Sequence, residues 1–243
     1  MTKALFFDRG DGVRLACVHH AGRGPTLVFL PGYMSDMQGT KALALEGYAK
    51  AMGRASLRLD YSGCGASEGC FEDGSIRRWA LDVQAIVGAV SPGPLILVGS
   101  SMGGWVMLHV ALALGDRVRA LVGIAAAPDF TRWGLSLDAG DRESLAQNGF
   151  VTRGSAYGAE PYRYSKALIA DAQRACLLDA EIPIDCPVRL LHGQQDADVP
   201  IAIALRLAAR LRSPDVQKIL VKSGDHRLST QANLCLLFQT LEG

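Results

Sequence analysis

Ser101 stands in Gly99-Ser-Ser-Met-Gly103, a Gly-x-Ser-x-Gly pentapeptide that follows the apolar run Leu95-Ile-Leu-Val98 and leads into Trp105-Val-Met-Leu-His-Val-Ala-Leu-Ala-Leu114. A strand that turns through small residues into a helix lifts a hydroxyl onto an exposed, strained corner, the setting a serine nucleophile requires. A second pentapeptide of this form, Gly65-Ala-Ser-Glu-Gly69, follows a polar, glycine-rich loop and precedes Phe71-Glu-Asp-Gly74, so no helix stands behind it. The setting selects Ser101 and leaves Ser67 as a turn residue. A hydroxyl is a weak nucleophile until a base takes its proton and a third group orients that base. Five histidines could serve: His19, His20, His109, His192 and His226.

Which of them can reach Ser101 depends on the elements that carry them. Short β-like runs alternate with helical ones along the whole chain. Strands are expected near 4–7, 13–19, 26–30, 55–59, 95–99, 120–124, 188–192 and 218–221, and helices near 41–52, 76–90, 101–114, 201–211 and 228–241. The later strands are apolar throughout, as strands covered on both faces are, while the first two alternate enough to form an antiparallel edge. The pattern predicts an α/β fold, a mostly parallel eight-stranded sheet with helices on both faces. In the helix at 201–211, Ile201, Leu205, Ala208 and Leu211 share one face, with Arg206 and Arg210 elsewhere. About fifty residues between Pro128 and Pro183 break the alternation and are too long for an ordinary connection. They read as an insertion at 129–182 within a single domain spanning 1–243.

On such a sheet the partners of an elbow serine follow in chain order, acid and then histidine. His19 and His20 come too early, His109 lies two turns into the helix after Ser101, and His192 precedes the best acid candidate. His226 remains, in Ser223-Gly-Asp-His-Arg227 beyond the last strand. The loop after the preceding strand, Gly193-Gln-Gln-Asp-Ala-Asp-Val-Pro200, carries two carboxylates. Asp196 fits the Gly-x-x-Asp-x-x-Val form of this turn in serine hydrolases. Asp198 stays open as the acid, its other role being to cap the helix that begins near Pro200. The acid fixes the imidazole tautomer and stabilises the imidazolium. Two backbone N–H groups must also meet the developing oxyanion. Met102, directly after the nucleophile, is the candidate for one, and Tyr33, after Pro31-Gly32, for the other. Ser100 and the Asp60–Ser67 loop read as turns supporting the elbow, and Trp105 and Met107 as core.

Lys+Arg 25 against Asp+Glu 24 leaves a net charge of +1, which excludes the electrostatic footprint of a nucleic-acid or anionic-membrane binder. The cysteines at 17, 64, 70, 176, 186 and 235 form no CxxC and pair with no histidine, so neither a zinc site nor a disulfide framework is expected. No cofactor or metal is called for. The apolar part of Met1-Thr-Lys-Ala-Leu-Phe-Phe-Asp8 is too short for a signal peptide, and no apolar run reaches membrane-spanning length. A cytoplasmic location is expected.

Several longer motifs add to this. Pro31-Gly-Tyr-Met-Ser-Asp-Met-Gln-Gly-Thr-Lys-Ala42, Asp60-Tyr-Ser-Gly63, Gly99-Ser-Ser-Met-Gly-Gly-Trp105, Arg189-Leu-Leu-His-Gly193 and Asp225-His-Arg227 together resemble one α/β-hydrolase subfamily. It is that of the mitochondrial palmitoyl-protein thioesterases that also cleave acyl glucuronides. The resemblance runs from about Thr26 to the C-terminus and includes Cys176-Leu-Leu and Ile182-Pro-Ile-Asp-Cys-Pro187. It implies an α/β-hydrolase fold with 129–182 as a cap, and a Ser101–Asp196–His226 triad. The implied substrate is a small-molecule acyl ester or thioester, or an acylated protein, cleaved through an acyl-serine intermediate without a cofactor. With no mitochondrial presequence visible, a bacterial-type relative is expected. Arg132, Arg142 and Arg153 of the cap could pair with a substrate carboxylate, although solvated surface arginines are the commoner case. Two other readings compete: a general lipase or esterase without thioester preference, and a ligand-binding member with a vestigial triad.

Overall fold

Val28, Leu30, Leu95 and Leu97 bury into one side of the central sheet while Leu27, Phe29 and Val98 bury into the other, so strands apolar at every position occupy its middle. The computed structural model describes residues 4–155 and 160–242. Residues 1–3 of the N-terminal run, 156–159 of the expected insertion, and 243 lie outside the described residues. The strands of the main sheet are β1 (Leu5–Asp8), β2 (Arg14–His20), β3 (Arg23–Leu30), β4 (Arg54–Leu59), β5 (Leu95–Ser100), β6 (Val118–Ile124), β9 (Val188–Gly193) and β10 (Val216–Val221). They lie in the order β1-β2-β4-β3-β5-β6-β9-β10, all eight near the positions expected. β1 pairs antiparallel with β2 and β2 antiparallel with β4, and every later pairing is parallel.

Helices α1 (Thr40–Ala51) and α8 (Gln231–Glu242) cover one face, where Ala42, Leu45, Ala49 and Leu237 meet Leu27, Phe29 and Val98. Helices α2 (Ile76–Val90), α3 (Met102–Leu114) and α7 (Ile201–Arg210) cover the other. Trp105 and Met107 are fully buried there as core, each such side chain stabilising the fold by about 1.5–3 kcal/mol. Helix α7 corrects one expectation. It buries Ile203, Ala204 and Leu207 and leaves Leu205 46% exposed, so the face through Ile201 and Leu205 is not the packed one. Apolar residues stand on both sides of this helix, and its neighbours decide which side is covered.

The stretch after β6 is folded rather than irregular. It runs through α4 (Phe130–Trp133), α5 (Ala139–Gln147), an antiparallel hairpin of β7 (Phe150–Arg153) and β8 (Tyr162–Ser165), and α6 (Lys166–Ala175). Ser165 caps α6 by accepting the Leu168 N–H at 3.1 Å, and Leu168, Ala172 and Ala175 pack into the core that holds α2 and α3. The buried Asp129 carboxylate accepts the N–H groups of Leu177 and Leu178, each at 2.9 Å, which ties the two ends of the stretch together.

Candidate active site

The elbow begins with glycines that let main chain approach main chain. A Cβ at Gly103 would lie 2.1 Å from the Leu30 carbonyl oxygen, and one at Gly99 would lie 2.5 Å from that of Gly103. Only glycine permits α3 to start so close to the ends of β3 and β5. Between them Ser101 takes φ 54° and ψ −122°, a backbone state that costs a non-glycine residue about 1–3 kcal/mol. The surroundings over-determine it: its N–H donates to Ile124 O at 2.9 Å, and its carbonyl accepts from Gly104 at 2.9 Å and Ala127 at 3.0 Å. Ser67 of the second pentapeptide is instead a turn residue. Its hydroxyl donates to the Asp60 carbonyl at 2.7 Å and accepts the Ala16 N–H at 2.8 Å.

Loops from the far strands bring Asp196 and His226 to this corner. His226 Nε2 lies 3.1 Å from Ser101 Oγ, and His226 Nδ1 lies 2.9 Å from Asp196 Oδ2. The other Asp196 oxygen accepts the N–H groups of Asp198 at 2.9 Å and Val199 at 2.8 Å. Burial raises the Asp196 pKa, but the hydrogen bonds from His226 and these backbone groups outweigh burial and hold it below the ordinary value. The carboxylate facing His226 is therefore that of Asp196. Asp198 lines the cavity in front of Ser101, and α7 begins at Pro200 without a side-chain cap. The acid turn and the histidine loop are packed main chain on main chain: Gln195 N–H donates to Gly224 O at 2.9 Å, and a Cβ on Gly193 would sit 2.2 Å from that oxygen. Among the described residues Asp196, Asp198 and His226 are close enough to share an ion, with atoms within 4.8 Å. One Asp196 oxygen accepts two backbone N–H groups and the other faces His226 Nδ1.

The remaining histidines are engaged elsewhere. His109 Nε2 is 2.8 Å from Ala175 O, and the buried His192 Nε2 is 2.9 Å from Val199 O, under the acid turn. His19 and His20 close β2, at the sheet edge away from Ser101.

Tyr33 and Met102 both line the cavity of about 480 Å³ that opens over Ser101. Met102 is the first residue of α3, where the helix dipole favours negative charge. Tyr33 follows Gly32, whose α-carbon passes so near that a Cβ on it would touch the Ser101 Cβ at 3.4 Å. The ring of Tyr33 does what its sequence position did not signal. It stacks on Tyr164 with centroids 5.1 Å apart, tilts against Phe130 at 5.9 Å, and its hydroxyl donates to the Arg163 carbonyl of β8. Phe130, Trp133, Tyr162 and Tyr164, all from the stretch after β6, give the cavity an aromatic wall. Of the three arginines named in the sequence, Arg132 pairs with Asp179 and Arg153 forms a two-pronged bond with Asp141 at 2.6 and 2.9 Å, while Arg142 is not among the residues that line the cavity. Lys41, on the first turn of α1, also lines the cavity and was not singled out in the sequence. Burial pushes the Cys64 thiol up to about 12, away from its thiolate form.

Known proteins resemble this chain in sequence and in fold. The sequence pattern described as "Alpha/beta hydrolase family" matches residues 27–233. The chain is 42% identical over 240 residues to the Mus musculus protein named "Palmitoyl-protein thioesterase ABHD10, mitochondrial", covering 98% of this chain and 80% of that one. The Homo sapiens protein of the same name is 41% identical over 247 residues, covering 99% and 79%. The solved structure of alpha/beta hydrolase domain-containing protein 10 from mouse superposes with a TM-score of 0.90 at 41% identity, covering 99% of this chain and 97% of that one. A putative hydrolase from Agrobacterium vitis superposes at 0.92 with 38% identity, covering 100% and 97%. These relatives correct the expected cytoplasmic location, because the mammalian proteins are named as mitochondrial. That expectation rested on the short apolar part of residues 1–8, the scattered cysteines and the lack of a membrane-length apolar run. No helix among the described residues is long and apolar enough to cross a membrane.

Proposed function

The chain belongs to the α/β hydrolase family, and from that premise we propose that it hydrolyses carboxylic esters and thioesters, with acyl thioesters as the leading substrate class. Ser101 is the nucleophile, His226 the general base and Asp196 the group that orients it. The observation that supports this assignment is the unbroken chain from Asp196 Oδ2 through His226 to Ser101 Oγ, at 2.9 and 3.1 Å. Ser101 Oγ attacks the acyl carbonyl carbon while its proton passes to His226 Nε2. The carbonyl oxygen becomes an oxyanion, held by the backbone N–H groups of Tyr33 and Met102. Each such donor is worth about 3 kcal/mol in the transition state. Collapse breaks the bond to the thiol or alcohol, which leaves with the proton from His226. A water then gives a proton to His226 as its oxygen bonds the acyl carbon, and collapse breaks the bond to Ser101 Oγ, which takes the proton back from His226 as the carboxylic acid leaves.

The domain reading is likewise ours: one α/β-hydrolase domain over 1–243, in which 129–182 forms a cap over the site. It is supported by the aromatic wall, since Phe130, Trp133, Tyr162 and Tyr164 supply apolar surface where an acyl chain would lie beside Ser101. The thioester preference is supported by the mammalian relatives, which are named palmitoyl-protein thioesterases. Matched oxygen and sulfur esters of one acyl chain test it. We expect thioester turnover at least equal to that of the oxygen ester, and loss of both in Ser101→Ala. A tenfold advantage for the oxygen ester would favour a general esterase, and activity surviving in Ser101→Ala would refute the assignment.

A further inference from the structure

The Gly39-Thr-Lys41 end of the longest family-like motif has no part in the mechanism above, yet it contacts the loop that carries the base. Lys41 Nζ donates to the main-chain carbonyl of Arg227 at 2.5 Å and lies 3.4 Å from Ser229 Oγ. Ser229 Oγ donates to the same Arg227 carbonyl at 3.0 Å. Arg227 is the residue next to His226, so Lys41 grips the histidine loop one peptide unit from the imidazole.

That loop is also held from its own side. Asp225 Oδ1 accepts the Leu228 N–H at 2.9 Å, which keeps Leu228 in the left-handed region at φ 44°. Gly224 N–H donates to Val221 O at 3.0 Å, and the acid turn closes on Gly224. These contacts anchor the loop to β9 and β10. Lys41 anchors it to α1 as well, and Lys41 and Arg227 both line the cavity over Ser101.

We propose that Lys41 is a positioning residue, which holds His226 within hydrogen-bond reach of Ser101 through the Arg227 carbonyl. The inference rests on the reading of Ser101 and His226 as nucleophile and base. A charged donor suits the task because hydrogen bonds from an ammonium are roughly twice as strong as neutral ones. The charge is also titratable. Burial, joined by the neighbouring Arg227, brings the Lys41 pKa down to about 8, against the opposing pull of Asp225. Among the described residues, Asp36, Asp198, His226, Arg153, Arg227 and the phenols of Tyr33, Tyr162 and Tyr164 are the other charged or titratable groups lining the same cavity. Deprotonation leaves a neutral amine that still donates, but more weakly, so the loop loosens without being released.

The test is the pH profile of kcat on an acyl thioester for wild type, Lys41→Met and Lys41→Arg, with fluorophosphonate labelling of each as a separate readout. Wild type should show an alkaline fall in kcat with a midpoint near the Lys41 value, about 8, levelling at a plateau. Lys41→Met should be lower by about tenfold or more at neutral pH with little change in KM, given that a ~1 Å misplacement of a catalytic group can cost ~100-fold. Its alkaline fall should be gone. Lys41→Arg, which stays charged throughout, should recover most of kcat and keep it to higher pH. A wild-type profile flat on the alkaline side, or a Lys41→Met enzyme within twofold of wild type, would overturn the proposal. Absence of labelling in wild type would instead overturn the reading of Ser101 itself, and wild-type pH dependence requires no variant to fold.

Discussion

Alanine at Gly103 and alanine at Gly88 should shift stability in opposite directions, although helix propensity favours both. Exchanging glycine for alanine inside a helix stabilises it by about 1 kcal/mol. Gly88 in α2 has nothing within 4 Å of a built Cβ, so Gly88→Ala should realise most of that and raise Tm by about 1–4 °C. At Gly103 the Cβ would meet the Leu30 and Pro31 carbonyl oxygens at 2.1 and 2.4 Å, where real contacts stay above 3.0 Å. Both opposing atoms are main chain, so the start of α3 and the Tyr33 loop must separate by about 1 Å, and the cost lies at the upper end of the ~1–3 kcal/mol range for overpacking. Subtracting the propensity gain leaves a net loss of about 2 kcal/mol, or about 4–8 °C in Tm for a chain of this size. The same displacement moves Ser101 and Met102 relative to Tyr33, and turnover should fall by about 100-fold. Thermal melts and thioester turnover of the two variants read this directly. A Gly103→Ala protein as stable as Gly88→Ala, with wild-type turnover, would refute the close approach and the argument built on it.

Three further outcomes follow from the same contacts. Asp196→Asn should lower kcat by about 10⁴-fold through the wrong imidazole tautomer, whereas Asp198→Asn should change it by less than tenfold; steady-state kinetics of the pair decide between the two carboxylates. The Asp196 pKa is depressed in the fold, so its stabilisation is present above the ordinary value of 3.8 and lost as pH falls through the lower folded value. The Tm difference between wild type and Asp196→Asn should then hold steady at neutral pH and narrow below pH 3.8, and a difference that widens on acidification would contradict the sign. Arg9→Ala removes the cation from the fully buried Asp82, which keeps only the Ser62 N–H at 2.8 Å and hydroxyl at 2.7 Å, and should cost about 3–5 kcal/mol in urea unfolding. Adding Asp82→Asn to Arg9→Ala should recover part of it.

The sequence was most legible where one local pattern settles the outcome. Apolar runs such as Leu95-Ile-Leu-Val98 belong to strands covered on both faces, whereas the first two strands were read from their alternation, and all eight main-sheet strands lie near the expected positions. The close placing of Ser101, Asp196 and His226 was foreseeable because the elbow fixes one member and chain order restricts the others. The β7–β8 hairpin was not, since Phe-Val-Thr-Arg and Tyr-Arg-Tyr-Ser are four-residue strands with too little periodicity to read. The face of α7 was misjudged because apolar residues stand on two sides and only its neighbours choose between them. Lys41 was invisible as a candidate because a lysine in a helix ordinarily reads as solvated surface, and its burial comes from the histidine loop nearly two hundred residues later. The aromatic wall needed the folded stretch after β6 before its rings could meet Tyr33.

The central claim is that Ser101 is an activated nucleophile, and intact-mass measurement after exposure to a fluorophosphonate tests it most directly. The account predicts one adduct on the wild-type protein, mapped to Ser101 by peptide analysis, strongly slowed in His226→Gln and absent in Ser101→Ala. An adduct on another residue, or one that persists in Ser101→Ala, would contradict it.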